Sequence, residues 1–312
     1  MKERIIFSVI AAGLMFFITT CDTVENVIDK PGFKGKVVYV THYDDSPKTE
    51  LTVMNIDGTN KKVIDTSEKF YIYDPSWFKD GKKNLYTIST SKLFFINEDG
   101  SSKQDLNAQL FVLTPKASPN EKYIVYNLFG ASPERPVLFE ITQGRIIKQL
   151  CETYYSQDFG PNPWTSDNQK VLLHAKLERY GNYGLYFVDI ATGKIDTIIT
   201  SSQSLFIRPL LSKDEAEIIY STSLNLVSSS YGTLKRLNIK TKNTTELKFS
   251  IPNLKILHPK YWTKDKRFLL FTVKNDSKKE FIVDLLYHDF LTGKTDYLLK
   301  NVSYDIDVWL EE

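Results

Sequence analysis

Cysteine is nearly absent from this chain: Cys21 and Cys151 are the only two in 312 residues. With one of them in a leader-like segment, no disulfide framework is available, and the fold must be held by its core. Cys151, with no histidine signature near it, reads as a half-buried strand-end residue and not as a nucleophile. Histidine is just as sparse. His42, His174, His258 and His288 show no ligand-type spacing, so neither a metal site nor a cofactor is expected. No charge of one sign dominates: 40 basic and 38 acidic residues give a net charge of +2, mixed throughout, which excludes a nucleic-acid or anionic-membrane footprint. Gly-x-Ser-x-Gly elbows, glycine-rich phosphate loops and capped helical periodicity are missing as well. What remains is a chain with 42% hydrophobic and 13% aromatic residues, enough for a sizeable core.

The one long apolar run, residues 5–18, follows a basic start (Lys2, Arg4) and leads to Thr19-Thr20-Cys21. It falls short of the roughly 20 residues that span a bilayer, so it reads as a secretory signal over residues 1–20. Ending such a signal on cysteine, with Ile18 at the branched-aliphatic position, resembles the bacterial lipobox. That resemblance implies a diacylated Cys21 as the lipid attachment site. Residues 21–34, polar and interrupted by Pro31-Gly32, read as a tether to a folded domain over 35–312. The implied address is a bacterial cell envelope, membrane-anchored and facing the periplasm or the surface.

A phrase recurs through that domain: Pro, one or two residues, a large apolar anchor, then Asp or Asn three positions on. Its copies are Pro75–Trp77–Asp80, Pro115–Ala117–Asn120, Pro163–Trp164–Asp167, Pro209–Leu211–Asp214 and Pro259–Trp262–Asp265, with anchors 40, 47, 47 and 51 residues apart. Such a period means stacked supersecondary units. The proline reads as a strand start and the Asp as a turn residue bonding its own backbone. An alternating strand follows each turn, with Tyr86, Tyr126, Leu173, Tyr220 or Phe271 nine residues past the anchor and Tyr39 as the equivalent in the first unit. A fixed strand position faces a fixed layer, so these side chains are expected to pack between neighbouring sheets. Next to them stand Thr87, Asn127, His174, Ser221 and Thr272, which makes His174 one more polar strand residue.

Each unit continues through a hairpin turn such as Asp57-Gly58, Asp99-Gly100 or Thr292-Gly293, where glycine supplies positive φ. Six aromatic-position strands and six hairpins stand against only five anchor phrases. The first unit lacks its opening strand, and Tyr304-Asp305-Ile306-Asp307-Val308-Trp309 resembles Tyr73-Asp74-Pro75-Ser76-Trp77. The chain is therefore expected to be all-β, a six-bladed β-propeller of four-stranded blades, closed by the C-terminal strand joining the first blade.

Pro75-Ser76-Trp77-Phe78-Lys79-Asp80-Gly81, Trp164-Thr165-Ser166-Asp167 and Ala117-Ser118-Pro119-Asn120 are similar to the TolB-type (WD40-like) propeller repeat, and the likeness covers residues 35–312. TolB carries an α/β domain ahead of its propeller and binds the peptidoglycan-associated lipoprotein through the propeller. The segment after Cys21 is too short for that domain, so only the propeller carries over. Similar repeats occur in bacterial lipoproteins, peptidase propellers and oligogalacturonate lyases, and the fold does not choose among them.

Function is expected where the repeat is broken, in loops on a rigid scaffold. Residues 129–136 offer Arg135, residues 152–163 offer Tyr154, Tyr155 and Phe159, residues 177–183 offer Arg179, Tyr180 and Tyr183, and residues 225–231 form a polar run. Arginine and aromatic side chains in loops suit a contact with a protein or, second, a glycan or peptide. Trp77, Trp164, Trp262 and Trp309, locked to the repeat, read as packing residues. The resulting expectation is a monomeric, envelope-anchored binding or scaffolding module and not an enzyme. The alternative is a propeller enzyme in the central channel, such as a metal-assisted polysaccharide lyase.

Overall fold

The computed structural model describes residues 31–312 apart from 90, 109–110, 129–134, 152–154, 157–158, 203–204, 224–231 and 276–281. Among the described residues every regular element is a β-strand, and the strands form six four-stranded antiparallel sheets. Five sheets follow chain order. The sixth starts with the last strand, Ile306–Leu310, beside Gly35–His42, Thr49–Asn55 and Lys62–Ser67. Closure runs in register from Gly35 against Leu310 to Tyr39 against Ile306. The expected six-bladed ring and its C-terminal latch are both present.

Six apolar clusters hold the ring, and each joins two adjacent blades. Tyr39, Tyr86, Tyr126, Leu173, Phe271 and Tyr220 fall one into each cluster, all buried. The fixed position nine residues past the anchor is therefore the blade-to-blade packing layer. Large rings suit it because two sheets about 10 Å apart leave space for one side chain from each.

The prolines differ from the expectation. Pro75, Pro115, Pro209 and Pro259 sit inside the innermost strands, at breaks in register with the second strand of the blade. An inner strand is an edge facing the central channel, so a missing N–H there removes no ladder bond. The residue before three of these prolines is held at positive φ: Asp74 at 50°, Thr114 at 47° and Arg208 at 45°. Those are sparsely populated values for non-glycine residues. The polar layer on the second strand compensates locally. Thr87, Ser221 and Thr272 hydroxyls donate to the carbonyls of Tyr73, Ile207 and His258, and His174 Nε2 accepts the N–H of Phe206 at 3.4 Å.

The Asp turns repeat one hydrogen-bond scheme. A Ser or Thr after the anchor donates to the Asp or Asn carboxylate or amide oxygen, at 2.6–2.7 Å for Ser118, Thr165, Ser212 and Thr263. The same hydroxyl accepts the N–H five residues on. These bonds hold Asp167 and Asp265 below the usual carboxylate range, the hydroxyl donor being the largest cause. Their role in the turn leaves them no freedom for acid–base work.

Candidate functional site

Antiparallel order sends the Asp turns and hairpin turns to one face of the ring, and the second-to-third-strand loops and blade-to-blade crossovers to the other. The central channel opens on the turn face as a cavity of 510 Å³, within the usual ~300–1,000 Å³ range of ligand pockets. All four tryptophans line it. They are packed into the wall: Trp164 is 3% and Trp262 2% exposed, and their indole N–H groups donate to the carbonyls of Lys116 and Lys266. Trp309 donates to Lys79 at 2.9 Å and lies so close to the neighbouring turn that a Cβ on Gly81, at φ +65°, would sit 2.4 Å from the ring. The packing role expected for the tryptophans and the lining of a cavity thus belong to the same residues.

Two residues past each anchor, the chain points to the rim. Lys79, Pro119, Ser166, Lys213, Lys264 and Glu311 occupy this position in the six blades, and all six line the cavity. Deeper down, the repeat itself departs from its pattern. Where other inner strands have Pro75, Pro115 and Pro209 two residues before the anchor, blade six has Lys260 and blade one has Asp307. Lys260 is 4% exposed and donates to Ile306 O at 2.8 Å. Burial, reinforced by the Arg208 guanidinium and only partly offset by Asp307, pushes its pKa down to about 7. Asp307 Oδ2 accepts the backbone N–H of Trp77 at 2.9 Å.

Below this floor the channel narrows to 30 Å³ between Asp74, Thr114, Arg208, Lys260, Asp305 and Asp307. Blade four causes the narrowing. Its inner strand is interrupted between the Tyr155–Ser156 pairing and the bridge of Trp164 to Val171, and residues 159–161 turn into the channel. Phe159 is 2% exposed and its N–H donates to Thr114 Oγ1 at 3.1 Å. A Cβ on Gly160 would fall 1.7 Å from Pro209 O, so only glycine fits this approach. The segment expected to be a surface loop is, over these residues, a channel filler.

The other sequence candidates lie away from the cavity. Arg135 is exposed at the start of a strand, while Arg179 and Tyr180 (88% exposed) project from a blade-four loop with the guanidinium 5.5 Å from the ring centre. Tyr183 is half-buried, its ring 6.0 Å from that of His174 and covered by Lys176. All four belong to second-to-third-strand connections or their ends, hence to the loop face. Tyr155 pairs with Lys176 in the sheet; its side chain, Tyr154, Cys21 and residues 225–231 lie outside the described residues. Each of the four histidines has its own neighbour. His42 is 3.6 Å from Asp305, His258 bonds Tyr304 at 2.7 Å, His288 bonds Thr295 at 2.9 Å, and His174 takes the Phe206 N–H. Among the described residues no group of three His, Cys, Asp or Glu side chains is placed to hold a metal.

No family model matches the chain. Among solved structures it is similar to TolB from Acinetobacter baumannii (16% identity, TM-score 0.64, covering 88% of this chain and 65% of that one). It is equally similar to a putative TolB from Agrobacterium tumefaciens (13%, TM-score 0.65, 89% and 98%). A manganese-bound oligogalacturonate lyase also superposes (10%, TM-score 0.57, 88% and 83%). The chain thus spans less than two thirds of the Acinetobacter protein's length. At these identities the likeness is one of fold, and the fold of this chain is the TolB-like six-bladed β-propeller.

Proposed function

We propose that the propeller is a binding module of a bacterial envelope, and that it takes a protein partner at the turn-face mouth of its channel. The observation that carries this reading is the cavity itself: a preformed, 510 Å³ opening whose rim comes from one repeat position that carries Lys, Pro, Ser or Glu from blade to blade. A rigid ring with a variable rim is suited to recognition, since preorganised groups lose little entropy on binding. The groups at the floor are committed to backbone bonds, Asp307 to Trp77 N and Lys260 to Ile306 O, which favours holding a ligand over transforming one. The basic start, the apolar run of residues 5–18 and Cys21 support export and lipid anchoring. Arg135, Arg179 and Tyr180, with Tyr154, Tyr155 and Tyr183, are assigned to a second, loop-face contact.

The test is co-purification from solubilised envelope with the full chain as bait. Reversing the rim charges (Lys79→Glu, Lys213→Glu, Lys264→Glu) should abolish capture of a partner that the wild type retains, whereas Arg179→Ala with Tyr180→Ala should leave it. Capture that survives charge reversal, or that no variant alters, overturns the channel-mouth reading. Membrane fractionation of Cys21→Ser tests the anchor: release into the soluble fraction is expected, and unchanged fractionation refutes it.

A further inference from the structure

The chemical inventory of the cavity, taken on the binding reading just proposed, narrows the ligand. Five lysines line it (Lys79, Lys116, Lys213, Lys260, Lys264) against four carboxylates. Three of the carboxylates are already engaged. Glu215 accepts Ser166 N and Oγ at 2.6 Å, Glu312 accepts Lys264 N and the Tyr261 hydroxyl, and Asp307 accepts Trp77 N. The lysines are not. Among the described residues, the ammonium groups of Lys79, Lys116 and Lys264 make neither hydrogen bond nor ion pair, and that of Lys213 lies over the Tyr261 ring at 5.3 Å within reach of the field of the Glu312 carboxylate. Lys260 spends one of its three donors on Ile306 O. Even the buried Trp77 Nε1 has no acceptor. The cavity is therefore rich in unspent donors and poor in unspent acceptors, with Glu311 the exception.

A ligand that matches this must bring acceptors and negative charge. An acidic sugar also needs a ring-stacking surface and paired donors and acceptors for its hydroxyls. Here the indoles are packed into the wall, with Arg236 and Lys266 over Trp262, Lys36 and the Gly81 turn against Trp309 and three of the N–H groups on carbonyls, and three of the four carboxylates are taken. A peptide needs neither: its carboxylates meet ammonium groups as charge-assisted hydrogen bonds, and its apolar stems lie against the tryptophan wall. We infer that the channel mouth binds an acidic peptide segment of the partner, with carboxylates on Lys79, Lys213 and Lys264 at the rim and one directed inward toward Lys116 and Lys260.

All four tryptophans of the chain line the cavity, so intrinsic fluorescence reports on it directly. The full chain in detergent is titrated with N-acetylated, C-amidated tetraglutamate, with tetraglutamine and tetralysine, and with trigalacturonate. The expected result is a saturable change with tetraglutamate alone, weakened about tenfold by raising salt from ~0.05 to ~0.5 M. A further loss of about tenfold or more is expected in the Lys79→Gln, Lys213→Gln, Lys264→Gln variant. These rim residues are exposed, so that variant should keep the wild-type unfolding transition. Absence of saturation with tetraglutamate, equal binding of tetraglutamine, or an unaffected rim variant overturns the inference. Tighter binding of trigalacturonate overturns it in favour of an acidic glycan. If tetraglutamate fails while rim charge reversal still abolishes partner capture, the peptide inference falls and the binding reading stands; if both fail, both fall.

Discussion

The two faces of this ring are built by one repeat and differ in kind. On the turn face the chain is nearly uniform: the same hydroxyl bond, to an Asp carboxylate in three turns and to the Asn120 amide oxygen in a fourth, closes them at 2.6–2.7 Å, and six equivalent positions form the rim. On the loop face the connections vary in length and composition, and exposed aromatic side chains such as Tyr43, Phe70, Tyr71, Phe111 and Tyr180 appear at irregular positions. Irregularity alone would direct attention to the loops. The cavity lies on the regular face, because uniform backbone lets six side chains converge while each blade chooses its own. Variation in side chain on constant backbone makes a site as readily as variation in the backbone does.

Five substitutions or deletions break or sharpen this contrast. The largest effect is expected from deleting residues 306–312, which removes the inner strand of blade one and with it the closing register, Trp309 and Asp307. Loss of a cooperative thermal transition should follow, and a wild-type melting curve would refute the latch. Phe159→Ala should cost about 3–5 kcal/mol in denaturant unfolding, because a buried ring in the apolar cluster between blades three and four leaves a void. A cost under ~1 kcal/mol would mean the filler is not packed as described.

Lys260→Met tests the floor. The fold depresses this lysine from 10.5 to about 7. Below pH 7 both folded and unfolded chains carry the proton and the burial penalty is fully present. Between about 7 and 10.5 the unfolded chain holds a proton that the fold does not, so stability rises with pH. The substitution should raise stability near pH 7 by on the order of a few kcal/mol, less about 1 kcal/mol for the lost bond to Ile306 O, and should flatten the rise above pH 7. An unchanged slope in urea midpoints across pH 7–9.5 would remove Lys260 as its source.

Thr263→Val should cost about 1 kcal/mol by removing the hydroxyl that serves both Asp265 and Phe268 N. Because Asp265 is held below its ordinary range, its share of stability is present at neutral pH and is lost as pH falls through the carboxylate range. The variant should therefore lose less than the wild type on acidification, as followed by circular dichroism. Tyr180→Ala, on the loop face, should stay within about 0.5 kcal/mol of wild type. A larger effect in the same unfolding measurement would mean that this loop is part of the scaffold.

Much of the fold was legible because closure and packing repeat. One fixed position per unit became one side chain per interblade cluster, a ring in five of them and Leu173 in the sixth, and Trp309 in a sixth phrase marked the latch. The proline was misread as a strand start because sequence does not reveal that an inner strand is an edge free to lose an N–H. The floor of the cavity was half legible. Pro259 stands three residues before Trp262 where Pro75 stands two before Trp77, and the extra residue is Lys260. The rim was not legible at all, since Lys79, Lys213 and Lys264 are 134 and 51 residues apart and only the ring brings them to one opening. Nor does any local signal say that residues 159–161 enter the channel; the glycine that permits it meets its partner, Pro209, one blade away.

The latch strand also has a consequence in time. A chain emerges from its N-terminus, and every group that 306–310 engages is made earlier: the edge at 35–39, the Trp77 N–H, the Lys79 carbonyl and the Lys260 ammonium. Until that strand arrives, the first blade is missing its inner edge and the opening has no Asp307, Trp309 or Glu311. On the binding reading proposed above, recognition at the channel mouth comes last in assembly, and a ligand there meets only rings that have already shut.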